Sequence, residues 1–343
     1  LQVRQVTRMA RRRLNDQQKA RIAGIQEKRR QDAAARAEDA LSTAGDGQQQ
    51  DGRVVVRHGR SLLIRDTNGN TVHAMFRANL GDVVCGDSVV WQPTANGEGV
   101  VVAVQPRHTA LSRPGFGGQE KTIAANITQL VVVLASQPEP TGYLLDQYLV
   151  AAERIKVGGL VCLNKADLLD DAGRTRFRAA FSHYEDIGYP VIEISAKTEH
   201  GLDPLQQRLR GHTSILVGQS GVGKSSLINA LIPRQDIAEG RLSDATGLGR
   251  HTTSAATLYP LDSGGELIDS PGVRSFRLSQ LDRRELERGF REFLPYLGQC
   301  RFHNCAHLAE PDCAILAAAA AGKIHRSRLD SYQHMAAELV VGA

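Results

Sequence analysis

The sequence predicts an α/β chain with a small all-β module before it and a helical, cysteine-bearing module after it. Three observations carry this reading. After Ile127 strands and helices alternate in the manner of a parallel sheet. Between about Gly52 and Pro106, five short β-rich runs are separated by turn signals. Three of the five cysteines, with histidine among them, fall within the fourteen positions Cys300 to Cys313. At 343 residues, 41% hydrophobic and 23% charged, the chain is long enough for two or three cores. Its longest apolar runs, Leu130–Ala135 and Ala314–Ala321, fall far short of the roughly 18 residues a membrane-spanning helix requires, so no membrane partner is expected.

The net charge of +5 is unevenly distributed: the first thirty residues carry +8 and the remainder −3. Residues 1–51 therefore read as a basic arm (Arg11, Arg12, Arg13, Lys28, Arg29, Arg30) followed by an Ala/Gln/Gly/Asp-rich linker. Such an arm suits nucleic-acid phosphates, and a solvated helix explains the charge equally well. The arm has no apolar stretch of the secretory type, so a secretory signal is not expected, and the odd number and crowded spacing of the cysteines favour metal in a reducing compartment over a disulfide framework.

The β-rich runs are Val54–Val56, Ser61–Arg65, Thr71–Phe76, Val83–Trp91 and Gly99–Val104, with a strong turn at Asp66-Thr67-Asn68-Gly69-Asn70. Five strands in so short a span suit a closed barrel, of which the OB-fold is the commonest five-stranded kind. Arg53, Arg57, Arg60, Arg65 and Arg77 on this segment would suit RNA, or form a solvated face. The alternating region then gives strand Gln129–Ala135, helix Leu144–Ile155, strand Gly159–Leu163, helix Asp171–Ile187, strand Pro190–Ile194, helix Leu202–Arg210 and strand Ser214–Val217. A helix from Lys224, strands near Ala256–Leu261 and Glu266–Ile268, a charged helix near Asp282–Leu297 and a mostly helical tail complete the chain.

Gly218-Gln219-Ser220-Gly221-Val222-Gly223-Lys224-Ser225, with Ser226 next, follows a strand and opens a helix, as a phosphate-binding P-loop does. Its glycines let backbone amides close on a phosphate, Lys224 adds charge, and the Ser225 hydroxyl can ligate Mg²⁺. Asn164-Lys165-Ala166-Asp167, at another strand end, selects the base. The Asp167 carboxylate accepts two hydrogen bonds from guanine N1–H and N2–H₂ but would face acceptors on adenine. Ser195-Ala196-Lys197 follows a third strand and offers an amide for guanine O6. Asp269 of Asp269-Ser270-Pro271-Gly272 stands to meet Mg²⁺ and the Gly272 amide the γ-phosphate, while Thr252 or Thr253 offers the same metal a hydroxyl. Each motif alone could be a structural turn; the five together point to GTP and GDP. An ATPase or metabolite kinase is disfavoured by Asp167.

In ordinary small GTPases the P-loop precedes the guanine-reading motif, and here the order is reversed, so the domain reads as circularly permuted. From about Gly52 onward the chain closely resembles the small-ribosomal-subunit-dependent GTPase A family (RsgA, also called YjeQ), bacterial permuted GTPases with an N-terminal OB-fold and a C-terminal zinc domain. Cys300-x4-Cys305-x-His307-x5-Cys313 has the Cys₃His ligand count of a closed structural zinc site, and Glu310-Pro311 before the last cysteine also matches the family. The resemblance implies cytoplasmic GTP hydrolysis stimulated by the small ribosomal subunit during its late maturation, contact with rRNA, and a monomer. It implies an OB-fold over 52–108, a permuted GTPase domain over 109–277 and a zinc-binding helical domain over 278–343. A non-catalytic RNA-binding assembly factor that uses GTP only as a ligand is the alternative. Val273 stands where many GTPases carry a water-orienting glutamine, and His251 is the nearest polar substitute, to which the resemblance also points; contact with RNA is its other reading. Because the Asp269 motif closely precedes the helix leading to the cysteines, nucleotide state could move the zinc domain.

Overall fold

The computed structural model describes residues 48–95, 97–114, 120–232, 255–270 and 281–341. Strands β1 (Gln50–His58), β2 (Ser61–Asp66), β3 (Thr71–Phe76), β4 (Ser88–Pro93) and β5 (Gly99–Val104) close into a barrel in the order 1-2-3-5-4-1, with β3 and β5 parallel. Inward residues Val54, Leu62, Ile64, Ala74, Phe76, Val89, Trp91 and Val101 fill it. The Asp66 carboxylate fixes the turn between β2 and β3 by accepting from the amides of Asn68 and Asn70 at 2.9 and 2.8 Å. The run Val83–Trp91 is not one strand. Gly86 adopts φ +85°, and the fully buried Asp87 accepts from the Val84 amide at 2.7 Å and from Arg107 Nε at 2.7 Å, so extended chain begins only at Ser88.

A hairpin, β6 (Ala110–Pro114) with β7 (Glu120–Ala125), follows the barrel and touches it through the pair Cys85–Ala124. Strands β8 (Gln129–Ala135), β9 (Gly158–Asn164), β10 (Val191–Glu193), β11 (Thr213–Val217) and β13 (Glu266–Asp269) are parallel in the order 10-9-8-11-13. β8 is buried throughout. Its residues alternate between two cores, Leu130, Val132 and Leu134 meeting the Gly142–Arg154 helix, and Val131, Val133 and Ala135 meeting the Leu202–Leu209 and Lys224–Leu231 helices. The sheet is not wholly parallel: β12 (Thr257–Pro260) runs antiparallel to β13, because the tight Leu261–Gly265 connection allows only a hairpin. β12 also bridges β1 at Val56 and Thr257, making barrel and α/β domain one continuous sheet. The expected helix Asp171–Ile187 is two, Asp171–Phe181 and His183–Asp186, parted at Ser182, whose hydroxyl donates to the Ala179 carbonyl.

In the C-terminal module the helices Arg283–Arg288, Ala314–Ala320 and Arg326–Val341 pack with Phe290, Phe293, Tyr332 and Ile315 in one core that also takes in Val150 of the Gly142–Arg154 helix. The helix expected over Asp282–Leu297 ends at Arg288 and resumes as a 3₁₀ turn, Arg291–Tyr296, which Pro295 and the extended Phe290 keep separate. Arg328 is wholly buried between modules, donating to Asp146 Oδ1 at 2.6 Å and to both Glu292 oxygens at 2.6 and 3.1 Å; Tyr184 Oη donates to the same Asp146 oxygen at 2.6 Å. Among the described residues no helix is long and apolar enough to cross a membrane.

Candidate nucleotide site and metal centre

The three guanine-nucleotide motifs meet at the carboxyl ends of β8, β9, β10 and β11, where open α/β sheets take their ligands. Val217 ends β11, and the loop Gly218 to Gly223 leads into the Lys224–Leu231 helix, held down by buried Leu227, Ile228 and Leu231. Gly223 sits at φ +93°, and a Cβ there would lie 2.5 Å from Asn164 Nδ2, so both the turn and the neighbour require glycine. Lys224 Nζ donates to the carbonyls of Gly218 and Gln219 at 2.7 and 2.6 Å, holding the ammonium across the loop. Val222 is buried, whereas Ser220, Gly221, Ser225 and Ser226 are exposed along the mouth and Gln219 is half-buried.

Asn164, the last residue of β9, is 2% exposed and joins all three motifs. Its Nδ2 donates to the Val222 carbonyl at 2.9 Å, and its Oδ1 accepts from the Ala196 amide at 3.2 Å. Lys165 takes the left-handed conformation and donates from Nζ to the Gln137 carbonyl at 2.8 Å, while the Ala166 amide bonds the Ile194 carbonyl at 3.1 Å. Asp167 then stands exposed with Oδ1 accepting from Ser195 Oγ at 2.7 Å, and Ser195 Oγ accepts from the Thr198 amide at 3.2 Å. The carboxylate is thus held in one orientation by Ser195. Lys197 is exposed beside it. The Gln137 and Thr198 contacts were not legible in the sequence, since one uses a main-chain carbonyl and the other a main-chain amide.

Asp269 ends β13, which pairs with β11 at Ile215 and Ile268, so its carboxylate and the P-loop leave the same sheet edge. Hard oxygen donors of this kind, a carboxylate and the Ser225 hydroxyl, fit Mg²⁺. Ser270 is buried. His251, Thr252, Thr253 and Gly272 lie outside the described residues, as does the basic arm.

At the other end of the molecule one ligand atom from each of Cys300, Cys305, His307 and Cys313 lies within 4.8 Å of the others. Cys300 Sγ is 3.8 Å from Cys313 Sγ, and His307 Nδ1 is 3.5 and 3.3 Å from these two sulfurs. Tetrahedral sulfur ligands at 2.3 Å from a common centre stand about 3.8 Å apart, so the donor set fits zinc. Burial pushes the Cys305 thiol up to about 12 and lowers the His307 imidazole, leaving a neutral ring. A divalent cation that binds thiolates overcomes the first effect and needs the second. Although burial opposes its charge, backbone amides of Ala306, Glu310, Leu308 and Ala309 bring the Glu310 carboxyl down to about 2; Ala306 and Leu308 donate to it at 2.6 and 2.9 Å. Glu310 therefore shapes the ligand loop from within. His303 is exposed and outside the cluster.

The barrel's cations are partly consumed internally. Arg53 donates to Glu266 Oε2 at 3.3 Å, Arg65 pairs with Glu266 Oε1, and Arg57 pairs with Asp82; Arg60 and Arg77 are exposed.

Comparison with known proteins gives a consistent result. A family model described as RsgA GTPase matches residues 104–279. The small ribosomal subunit biogenesis GTPase RsgA of Ectopseudomonas mendocina is 46% identical over 338 residues, covering 96% of this chain and 98% of that one. That of Pseudomonas aeruginosa (strain LESB58) is 44% identical, covering 96% and 98%. Among solved structures, YjeQ from Thermotoga maritima superposes with a TM-score of 0.71 at 32% identity, covering 85% of this chain and 99% of that one. YloQ, described as a circularly permuted GTPase, gives 0.70 at 27% identity, covering 86% and 96%.

Proposed function

The chain belongs to the RsgA GTPase family, and on that premise we propose how its residues carry out GTP hydrolysis in the maturation of the small ribosomal subunit. The fold is a circularly permuted GTPase domain between an N-terminal barrel and a C-terminal Cys₃His module. GTP lies along Gly218–Ser226 with its base at Asp167, its O6 toward an amide of the Ser195-Ala196-Lys197 loop and its γ-phosphate toward Gly272. The observation that carries this is Asn164, whose single amide bonds both the P-loop and the Ser195 loop. Phosphate and base sites are therefore tied to each other through one buried side chain.

Ser225, Asp269 and Thr252 or Thr253 would hold Mg²⁺, which when bound neutralises phosphate charge. Cys300, Cys305, His307 and Cys313 would hold one structural zinc, with no ligand position left for water. Residues 1–51 act as the basic arm, 52–108 as the OB-fold facing rRNA, 109–277 as the GTPase domain and 278–343 as the zinc domain. The protein works in the cytoplasm as a monomer. Docking on the subunit stimulates hydrolysis and is followed by release, with His251 positioning the attacking water.

The test is GTP hydrolysis with and without purified small subunits, for the wild type and His251→Ala. The variant should bind GTP and the subunit and lose most of the stimulated rate. Full stimulation removes His251 from the mechanism, and no stimulation of the wild type favours a factor that uses GTP only as a ligand.

A further inference from the structure

We propose that Glu287 is an outer-shell residue of the metal centre, holding the His307 imidazole so that its Nδ1 faces the cysteine thiols. The inference rests on the zinc reading above and concerns a residue that is not itself a ligand. His307 presents Nδ1 to Cys300 and Cys313 at 3.5 and 3.3 Å, which leaves Nε2 on the far side of the ring. There the structure sets Glu287 Oε1 at 3.7 Å from Nε2, an ion-pair separation a few tenths of an ångström longer than a hydrogen bond, with the His307 and Glu287 side chains only 5% and 14% exposed.

Neither partner is free to drift. Glu287 projects from the Arg283–Arg288 helix, whose start is fixed by a capping box between Asp282 and Glu285 and whose Leu286 is fully buried. His307 has its backbone in the left-handed region at φ +59°, and its carbonyl accepts from Gln333 Nε2 at 3.2 Å. The preceding Ala306 carbonyl accepts from Tyr332 Oη at 3.0 Å. Ring and carboxylate are therefore positioned by separate elements that converge on Nε2.

A metal on Nδ1 obliges the ring proton to sit on Nε2. An acceptor there fixes the tautomer, stops ring rotation and makes Nδ1 a stronger donor, effects for which loss of such a partner typically costs 10- to 100-fold in metal affinity. Glu287 also gives the metal centre a tie to the first described helix after Ser270, the stretch of chain that leaves the nucleotide site.

The test is zinc affinity, measured on the full chain by competition with a chelator of known strength, for wild type, Glu287→Gln and Glu287→Ala. The wild type should hold one zinc per chain. Glu287→Ala should bind zinc about 10- to 100-fold more weakly, and Glu287→Gln, which keeps the packing and a neutral acceptor oxygen, should fall between. Thermal unfolding of the metal-free variants should match that of the metal-free wild type. Wild-type affinity in either variant overturns the proposal, as does an equal destabilisation of the metal-free Glu287→Ala chain, which assigns the effect to packing. A wild type without zinc overturns the metal reading itself and this inference with it.

Discussion

Replacing Arg328 by methionine should detach much of what holds the C-terminal module to the α/β domain. The guanidinium and Asp146 side chains are 0% exposed and that of Glu292 is 4% exposed, so water screens none of the three charges. Removing the cation leaves two carboxylates facing each other in the interior. Breaking a buried pair from one side costs about 3–5 kcal/mol. Burial already raises the Asp146 carboxyl against the opposing pull of Arg328, and without the arginine it takes up a proton, which caps the loss near that range. A built-in control lies on the same helix: Arg326 pairs with Asp330 at 2.9 Å, but their side chains are 75% and 54% exposed. Arg326→Met should cost no more than about 0.5 kcal/mol. The assay is urea unfolding, with hydrogen exchange of the Arg326–Val341 helix to locate the loss. Asp146→Asn with Glu292→Gln should restore part of the stability of Arg328→Met, since it removes the stranded charges. A difference of less than about 1 kcal/mol between Arg328→Met and Arg326→Met would refute the reasoning.

Three further outcomes follow from the geometry. Asp167→Asn should weaken GTP binding by about 1.5–3 kcal/mol while improving xanthine-nucleotide binding, because a carboxamide cannot accept both guanine protons; unchanged GTP affinity by calorimetry would dismiss the base assignment. Cys305→Ser should release zinc and loosen the C-terminal module more than the sheet, as read by metal analysis and local hydrogen exchange, with nucleotide binding partly retained. His183 stacks on His325 at 3.9 Å, and burial first, then His325 and Arg328, lower it to about 4 from 6.5. The unfolded chain therefore binds its proton more readily, so this residue's contribution to stability is full above pH 6.5 and is lost as pH falls toward 4. His183→Gln should flatten the decline in melting temperature over that window, and an identical slope in both proteins would count against burial of His183 as the cause.

What could be read from the sequence is what the backbone alone dictates. Strands β3, β5 and β8 lie where their apolar runs put them, and the phosphate loop is recognisable because its glycines answer to local geometry. The β6–β7 hairpin escaped because its strands lack clean alternation and flank a Gly-rich stretch that reads as loop. Pairings across long separations left no local trace. Arg65 and Glu266 are 201 positions apart and Asp146 and Arg328 are 182 apart, so cations on the barrel looked available for RNA when two of them are spent on one carboxylate of the GTPase sheet. Glu287 was illegible for a related reason: it meets His307, in the ligand loop, through packing and not through any sequence spacing.

The two flanking modules are attached to the nucleotide domain in unlike ways, and the difference bears on how nucleotide state is transmitted. Sequence order suggested that nucleotide state could move the C-terminal module, since it follows the Asp269 motif closely. Its attachment, however, is the buried Arg328 group together with an apolar core shared with Val150, and separating it would expose or strand charge at about 3–5 kcal/mol. Coupling between sites in proteins typically amounts to about 1–3 kcal/mol, too little to draw that group apart. The C-terminal module and the Gly142–Arg154 helix should therefore stay packed together when nucleotide changes. The barrel is held by half-buried ion pairs of Arg53 and Arg65 with Glu266, by a strand bridge, and by an apolar core in which its Val55, Val56 and Leu63 pack with Ile215, Leu258 and Ile268 of the sheet. That bridge pairs Val56 with Thr257, and Thr257 pairs on its other side with Asp269. A shift at Asp269, the carboxylate proposed for Mg²⁺, would thus reach the barrel along the sheet through one intervening residue.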